Sequence, residues 1–321
     1  MRFGQAINRA ISDAMAQDPT VVMFGEDVAA AGGPFGVTRG LAERFGGERV
    51  RDTPISEATI VGAAVGAAMS GLRPIVEIMF MDFITLAMDA LVNQAAKAHF
   101  MFGEQCSVPM VVRTPHGGGI SAGPQHSQCL EAWLAHVPGL KLVCPATIAD
   151  SYSLLRAAIA DPNPVIFVEN KALYALKGEL PDEPENVAIG AARTARAGQD
   201  LTIVTYGAAL APALDAAATL ASQGVEAEVI DLRSIQPWDE AAVRRSLART
   251  HRLIVFHEAV EAFGVGAEIV ARMSDVAFDE LDAPPLRVGA PFSPPPFAKS
   301  LEQQFQPSAD RLIHAARRVL T

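Results

Sequence analysis

Two kinds of hydrophobic pattern alternate along the first half of the chain. The strand-like segments are 21–24, 74–80, 108–114, 140–145 and 165–169, and the helix-like segments between them are 57–70, 84–101, 127–136 and 148–160. A further helix opens the chain at 2–18, because Ile7, Ile11 and Met15 recur on one face. This alternation predicts an α/β fold with a parallel sheet that carries helices on both faces.

The pattern fades between 171 and 200, where the run Pro181-Asp182-Glu183-Pro184-Glu185 indicates an exposed connection. Strand-like segments resume at 201–206, 225–232 and 253–257, with helices at 211–222 and 240–248, and Ser308 is expected to cap a last helix that ends at Val319. A chain of 321 residues is long enough for two domains. We therefore predict domains at 1–180 and 181–321, joined by a connection at 171–200.

Composition points to subunit contacts. Hydrophobic residues make up 50% of the chain and charged residues only 19%, which predicts that apolar surface is buried between subunits unless the many alanines inflate the figure. The net charge of −10 disfavours nucleic acid as a partner, because such binding relies on neutralising phosphates.

Cysteine usage and hydrophobic runs favour the cytoplasm. Cys106, Cys129 and Cys144 form no CxxC pair and are odd in number, which suits a reducing compartment. The first helix has no apolar run of the kind that a signal peptide needs. The stretch 58–72 is too short to span a bilayer, so we expect no membrane association and interpret this stretch as a buried helix.

Glu57 is the first candidate for chemistry, because it starts that apolar helix directly after the turn at 52–56. Burial would favour its neutral form and the helix N-terminus its charged form, so its proton is poised between two effects. The alternative is an ordinary first-turn glutamate that complements the helix dipole.

Small residues recur every four positions in the helix, at Ala58, Gly62, Gly66 and Ser70, and predict a close helix crossing with this chain or another.

Three further features have a chemical and a purely structural interpretation. The glycine-rich loop at 115–126 matches neither nucleotide-binding pattern and is better suited to present His126 to a cleft, although His126 alone could bond within the loop. Phe83 ends a strand, where α/β sheets meet ligands, but on residue type alone a core aromatic is the favoured interpretation. The turn at 161–164 either only reverses the chain or offers carbonyls to a cation.

Five motifs in order give these residues a common context. They are Gly25-Glu26-Asp27-Val28, Asp52-Thr53-Pro54-Ile55-Ser56-Glu57, Gly71-Leu72-Arg73-Pro74, Gln125-His126-Ser127-Gln128 and the HVPGLKL sequence at 136–142. Together they resemble the beta subunit of the first component of 2-oxo acid dehydrogenase complexes, in the pyruvate and acetoin dehydrogenase branch. The similarity extends over nearly the whole chain.

The resemblance implies a transketolase-like pyrimidine-binding domain followed by a transketolase C-terminal-like domain, in an α2β2 tetramer with thiamine diphosphate at the interface of the alpha and beta subunits. In that family the residue matching Glu57 contacts N1′ of the aminopyrimidine ring. Phe83 matches the aromatic residue that stacks on this ring, and Ile55 is a further expected cofactor contact. His126 matches a histidine that assists acyl transfer to a lipoyl group.

The resemblance also bears on metals. In some relatives the residues matching Met110, Ala158, Ile159, Asp161 and Asn163 bind a structural potassium ion, largely through backbone carbonyls. Enzymes that use thiamine diphosphate hold it through Mg²⁺ on a Gly-Asp-Gly motif, and this chain contains none. We therefore expect a partner chain to hold the Mg²⁺.

The resemblance implies oxidative decarboxylation of a small 2-oxo acid, or cleavage of acetoin, with acyl transfer to a lipoyl acyltransferase. Two alternatives remain: a catalytically silent subunit that docks the acyltransferase core, and half of a split transketolase-like enzyme. The segments 79–83 and 101–104 are more similar to pyruvate and acetoin enzymes than to branched-chain ones. The substrate pocket is expected to be shared with the alpha subunit.

Overall fold

The computed structural model describes residues 1–321, which form two compact units. The first unit contains Met1–His116 and Trp133–Ile189, and the second contains Gly117–Ala132 and Gly190–Thr321. The division after Ile189 lies inside the connection predicted at 171–200. The grouping of Gly117–Ala132 with the second unit has no counterpart in the sequence pattern.

The sheet of the first unit is parallel. Its strands are β1 (Val21–Gly25), β2 (Val50–Asp52), β3 (Arg73–Glu77), β4 (Val111–His116), β5 (Lys141–Val143) and β6 (Val165–Asn170). They are hydrogen-bonded in the order β5-β6-β4-β3-β1-β2. Strands β4 and β6 are buried at every residue, as expected for central strands of a parallel sheet. The predicted α/β architecture is confirmed, and sequence reasoning missed only β2 in this sheet.

The helices of the first unit differ more from the predictions. They are α1 (Phe3–Gln17), α2 (Leu41–Phe45), α3 (Glu57–Met69), α4 (Ala96–Met101) and α6 (Ile148–Ala160), while α5 (Glu131–Ala135) spans the junction between Ala132 and Trp133. Helix α1 packs its apolar face against α6. The helix predicted at 84–101 is wrong in type over most of its length. It consists of a 3₁₀ helix (Met81–Ala87), a π-helical turn (Ala90–Ala95) and α4, which similar apolar spacings do not distinguish.

Helix α3 is not buried on all sides, which corrects the prediction for 58–72. Its Ile60, Val61 and Ala64 are buried. Ala58, Gly62, Gly66 and Ser70 lie on an exposed face, and a Cβ atom added to Gly62 or Gly66 would meet nothing within 4 Å. The predicted close crossing is therefore not made by this chain.

A buried ion cluster ties three strands of this sheet together. The Arg113 guanidinium on β4 is fully buried and donates to Glu77 on β3 (2.5 Å) and to both oxygens of Glu169 on β6 (2.7 and 2.8 Å). The hydroxyl of Tyr174 also donates to Glu169 (2.7 Å). Burial opposes the charge on Arg113, but the two carboxylates outweigh it and raise the pKa of the guanidinium.

The second unit has its own sheet, in the order β12-β11-β8-β9-β7. The strands of this sheet are β7 (Arg193–Arg196), β8 (Leu201–Thr205), β9 (Ala227–Asp231), β11 (Leu253–Val260) and β12 (Leu286–Ala290), and the unit also contains the short strand β10 (Ser234–Gln236), which lies outside this sheet. Its helices are α7 (Leu210–Ala221), α8 (Glu240–Thr250), α9 (Val265–Val276), α10 (Lys299–Phe305) and α11 (Ala309–Leu320). Strand β7 is antiparallel to β9, and the other pairs are parallel. The predicted Ser308 cap is confirmed, since its hydroxyl accepts from the Arg311 amide.

No helix of either unit combines the length and the hydrophobicity that crossing a membrane requires.

Replacing Arg113 with Met is expected to lower the free energy of unfolding by about 3–5 kcal/mol, because two buried carboxylates lose their only guanidinium partner. Urea unfolding of the purified chain measures this. The control is Arg51→Met, which removes a surface ion pair to Glu48 and should change the unfolding free energy by less than about 0.5 kcal/mol. Equal losses in the two variants would contradict a structural role for the cluster.

Candidate active site

The carboxyl ends of three neighbouring strands meet at one edge of the first sheet. Gly25 at the end of β1 lies opposite Asp52 of β2 and Glu77 of β3. Gly25 itself must lack a side chain, because a Cβ atom there would lie 2.8 Å from the Glu77 carbonyl oxygen. Ligands of parallel α/β sheets bind at this kind of edge. The segments carrying Glu26, Glu57 and Phe83 all start there.

Glu57 is the first residue of α3, and its side chain is only 6% exposed. No donor of this chain hydrogen-bonds its carboxylate. The preceding Ser56 does not cap the helix with its hydroxyl, which instead donates to the Thr59 hydroxyl (2.8 Å). A buried carboxyl group without an internal partner is costly unless something else binds it. Glu57 therefore has acceptor oxygens available to a group from outside this chain.

Glu26 is a second buried carboxyl group beside Glu57, and sequence reasoning missed its role. Its side chain is 6% exposed, and its Oε1 atom has no hydrogen-bond partner. Burial raises the pKa of Glu26, and the nearby charges of Glu57, Asp27 and Glu77 raise it further. Its position directly after β1, at the edge that also bears Glu57, was the available signal.

The turns around these carboxyl groups are held by the ends of β1 and β2. The Asp52 carboxylate accepts from the backbone amides of Ala29 (2.6 Å) and Ala30 (3.1 Å), which fixes the segment after Glu26. The Thr53 amide donates to the Gly25 carbonyl (2.9 Å), which fixes the turn leading to Glu57. Two turns that are bonded to the same pair of strand ends give the two carboxyl groups a defined separation.

Two predicted cofactor contacts lie in the same unit. Phe83 is half-buried in the 3₁₀ helix, its ring packs edge-on against Phe80 at 6.2 Å, and this helix packs against α3. Ile55 precedes Glu57 and is 82% exposed. Neither the stacking role of Phe83 nor the contact of Ile55 is tested by this geometry, and both stay predictions.

His126 belongs to the second unit, in the glycine-rich loop of 117–128. The loop is closed where the Gly117 amide donates to the Gln128 carbonyl (3.4 Å), and a turn bonds the His126 amide to the Gly123 carbonyl (3.3 Å). The His126 side chain is half-buried. Backbone amides of this loop donate to glutamate side chains of the second unit, so the loop does not offer a free phosphate cradle.

The five residues predicted to bind potassium lie around the end of α6. Asp161 follows α6, and the Met110 carbonyl accepts from the amide of Val165 at the start of β6 (3.0 Å). The Arg73 guanidinium already donates to the carbonyls of Ile159 (2.9 Å) and Asp161 (3.4 Å). The fit to a cation is therefore partial, because a guanidinium shares two of the expected oxygens.

Family models match both parts of the chain. The model for the transketolase pyrimidine binding domain matches residues 1–177, and the model for the transketolase C-terminal domain matches residues 190–312. Among solved structures, a split-gene transketolase described as an inactive beta4 tetramer superposes with a TM-score of 0.83 at 20% identity, over 100% of this chain and 98% of that one. At this identity the likeness shows the fold.

Similar sequences extend over nearly the whole chain. The beta-2 subunit of the mitochondrial pyruvate dehydrogenase E1 component from Oryza sativa is 43% identical over 99% of this chain and 86% of its own length. The beta subunit of acetoin:2,6-dichlorophenolindophenol oxidoreductase from Bacillus subtilis is 45% identical over 99% of this chain and 96% of its own. The chain therefore belongs to the transketolase-like family of pyruvate and acetoin dehydrogenase beta subunits.

Proposed function

We propose that this chain is the catalytic beta subunit of a thiamine-diphosphate-dependent dehydrogenase that acts on pyruvate or acetoin and passes the acyl group to a lipoyl acyltransferase. The observation that carries the proposal is the buried carboxylate of Glu57 at a strand-end edge, with Glu26 beside it and no donor of this chain bonded to it. The relatives of 43–45% identity support the reaction class. A split transketolase is supported only by a fold likeness at 20% identity.

The residues at this edge fit an aminopyrimidine ring. When bound, thiamine diphosphate supplies a nucleophilic carbon and a sink for the electrons of the carbon–carbon bond that breaks. Glu57 would hydrogen-bond ring atom N1′ and assist the proton transfers of the ring's amino group. Phe83 would pack against the ring, and Ile55 would contact it from the turn before Glu57. These roles need a buried acid and an apolar wall, and the edge supplies both.

Glu26 acts on Glu57 rather than on the ring. Burial raises the pKa of Glu26, and the charge of Glu57 raises it further, so Glu26 adds less negative charge beside Glu57 than an exposed carboxylate would. The charge of Glu77 also raises the pKa of Glu26, and Glu77 is itself paired with Arg113. The ion cluster of the sheet thereby reduces the electrostatic effect of Glu77 on Glu26.

The diphosphate end of the cofactor needs a second polypeptide. The chain contains no Gly-Asp-Gly sequence, so we assign the Mg²⁺ site to the alpha subunit of an α2β2 tetramer. The exposed face of α3 at Ala58, Gly62 and Gly66 supports this assembly, because small residues permit close approach of another helix. Phe100 (86% exposed) and Met101 (68%) add apolar surface of the kind that obligate interfaces bury.

His126 serves the transfer step. In this step the lipoyl S–S bond breaks, one sulfur takes the acyl carbon, and the other sulfur becomes a thiol by accepting a proton. The two electrons that reduce the disulfide would be the pair left on the substrate-derived carbon when the earlier carbon–carbon bond broke. That carbon would reach the acyl oxidation level by losing this pair and its hydroxyl proton, and its bond to the cofactor would break. We assign the proton donor to His126, since histidine is the side chain that exchanges protons near neutral pH. The cytoplasm remains our proposed compartment.

Glu57→Gln is expected to lower turnover of pyruvate or acetoin by about 10²–10⁴-fold in the reconstituted complex of alpha and beta subunits, because Gln holds no exchangeable acid proton. Turnover with an artificial electron acceptor measures it, and gel filtration checks assembly. The control is Glu48→Gln, whose side chain is 95% exposed and should have no effect. An assembled Glu57→Gln complex with wild-type turnover would defeat the catalytic assignment and favour the silent docking subunit.

Glu26→Gln is expected to stabilise the isolated chain at neutral pH. The folded state raises the pKa of this acid above 4.5, so stability is lost as pH rises from there through the folded-state pKa. The gain from Gln should therefore be largest at pH 7–8 and vanish near pH 4.5. Urea unfolding across this range tests it, with the exposed Glu43→Gln as control. A gain independent of pH would exclude titration of Glu26 as the cause.

We also propose that K⁺ binds the carbonyl oxygens of Met110, Ala158, Ile159, Asp161 and Asn163, displacing Arg73 from two of them. Binding to the folded state alone would add about 2.7 kcal/mol of stability at a K⁺ concentration 100 times the Kd. Thermal unfolding in KCl and in NaCl of equal ionic strength measures the difference. Identical melting temperatures in the two salts would rule out a selective site.

A further inference from the structure

The loop of 117–128 has little intrinsic reason to keep one conformation. Gly117, Gly119 and Gly123 have positive φ angles (80°, 94° and 78°), and Ser121 also has a φ of 56°. Glycine-rich segments lose much conformational entropy when they are ordered. A defined position for His126 therefore requires bonds from outside the loop.

Glu302 supplies such bonds from α10. Its side chain is only 3% exposed, its Oε1 accepts from the Gly119 amide (2.9 Å), and both of its oxygens accept from the Ser121 amide (3.2 and 3.0 Å). Nearby backbone amides converging on one anion form a nest, and bonds to an ionised acceptor are stronger than neutral ones. Glu302 forms no ion pair, so these amides and the Ser121 hydroxyl are the partners of its buried carboxylate.

Glu258 holds the start of the loop. It lies on β11, a strand of the second sheet, and its Oε1 accepts from the Gly118 amide (2.7 Å). The same oxygen accepts from the Gln306 side-chain amide (3.4 Å), which links the strand to the end of α10. Beyond the loop, in α5, the Tyr206 hydroxyl donates to Glu131 (2.8 Å). Glu258 and Glu302 thus hold the part of the loop that precedes the histidine, at Gly118, Gly119 and Ser121.

Two glycines of the loop leave room for its contact with the segment 297–306. A Cβ atom at Gly118 would lie 2.6 Å from Nε2 of Gln306 and 3.0 Å from Oε1 of Glu302. At Gly123 a Cβ atom would overlap the ring of Phe297. Because both positions lack a side chain, Phe297, Glu302 and Gln306 can lie close to the loop backbone.

Packing alone does not restrain the loop. A cavity of about 310 Å³ borders it, with walls that include Pro124, Ser127, Leu130 and Phe305. Glu258 and Glu302 line the same cavity. The cavity leaves part of the loop without packing partners, so the hydrogen bonds to the two carboxylates restrain it in addition to its contact with Phe297.

We propose that Glu302, assisted by Glu258, is a positioning residue that places His126 for acyl transfer. The placing of the loop follows from the hydrogen bonds, while the consequence for acyl transfer rests on the proposed function. Loss of the Glu302 carboxylate releases the backbone at Gly119 and Ser121, and His126 then samples positions from which its proton does not reach the acceptor sulfur. The step before transfer does not use His126 and is unaffected.

The first test is hydrogen exchange of the loop amides in the complex of alpha and beta subunits. Glu302→Ala should raise exchange in peptides covering 117–128 by on the order of 10-fold, and Glu302→Gln, which keeps one acceptor oxygen, by less. The matched control is Gln303→Ala, an exposed neighbour on the same helix, which should leave exchange unchanged. Circular dichroism and melting temperature show whether each variant is folded. Unchanged loop exchange in folded Glu302→Ala would overturn the anchor.

The second test separates transfer from the earlier step. In Glu302→Ala, kcat for acylation of lipoyl acceptor should fall by about 10-fold, while turnover with an artificial acceptor and the KM for the 2-oxo acid stay at wild-type values. In a His126→Ala background, Glu302→Ala should have no further effect on transfer, because both changes remove the same contribution. Additive losses, or equal losses with both acceptors, would overturn the positioning role.

These outcomes are distinct from failure of the proposed function. If the wild-type complex acylates no lipoyl acceptor, the dehydrogenase assignment fails while the exchange experiment still decides whether Glu302 anchors the loop. If the wild-type complex is active and only the loop exchange changes, the anchor exists and its link to His126 is refuted. Glu258→Gln provides a second variant on a rigid strand, with increased exchange expected at Gly118.

Discussion

The structure depends on one fully buried guanidinium. Arg113 lies on the central strand β4 and is shared between a carboxylate of β3 and a carboxylate of β6, so three strands are joined by side chains as well as by backbone bonds. A charge buried this deeply is tolerable only with good partners on both sides. The same cluster pairs Glu77 with Arg113, and the charge of Glu77 is one of the causes that raise the pKa of Glu26. Sheet stability and site electrostatics thus have a common origin.

The two units contribute different kinds of chemistry. The first unit presents buried acids at strand ends, and these are positioned by backbone bonds within the sheet edge. The second unit presents a histidine on a glycine-rich loop, and that loop is positioned by side-chain carboxylates. A proton relay on a rigid edge and a transfer residue on an anchored loop are suited to two successive steps. In the proposed function the acids act within one site, whereas the histidine acts on a lipoyl group carried by another protein.

Much of this was predictable from periodicity. The parallel strands β1, β3, β4, β5, β6, β8, β9 and β11 and the helices at 57–69 and 148–160 follow from continuous apolar runs and helical spacing, whereas β12 was not predicted. The 3₁₀ and π segments at 81–95 were not predictable, because their apolar positions fit an α-helix equally well. Short β2 and β7 lack enough residues to show a period.

The site was predictable only in part, since local sequence does not report long-range contacts. Glu57 stands out by its place at the start of a helix. The proximity of Glu26 depends on strand order, and the role of Glu302 depends on a contact with an amide 183 residues away. Both are properties of the folded chain that no local motif encodes.

Helix α3 links assembly to chemistry. Its first residue, Glu57, is the acid proposed for catalysis, and its outer face is a row of small side chains that no other part of the chain covers. A helix of another subunit that packed against this row would also fix the orientation of the acid at its end. Dilution below the dissociation constant of the complex would then silence the subunit without unfolding it. Substitutions on this row would then leave the subunit folded, and their genetic effect would be a loss of enzyme activity.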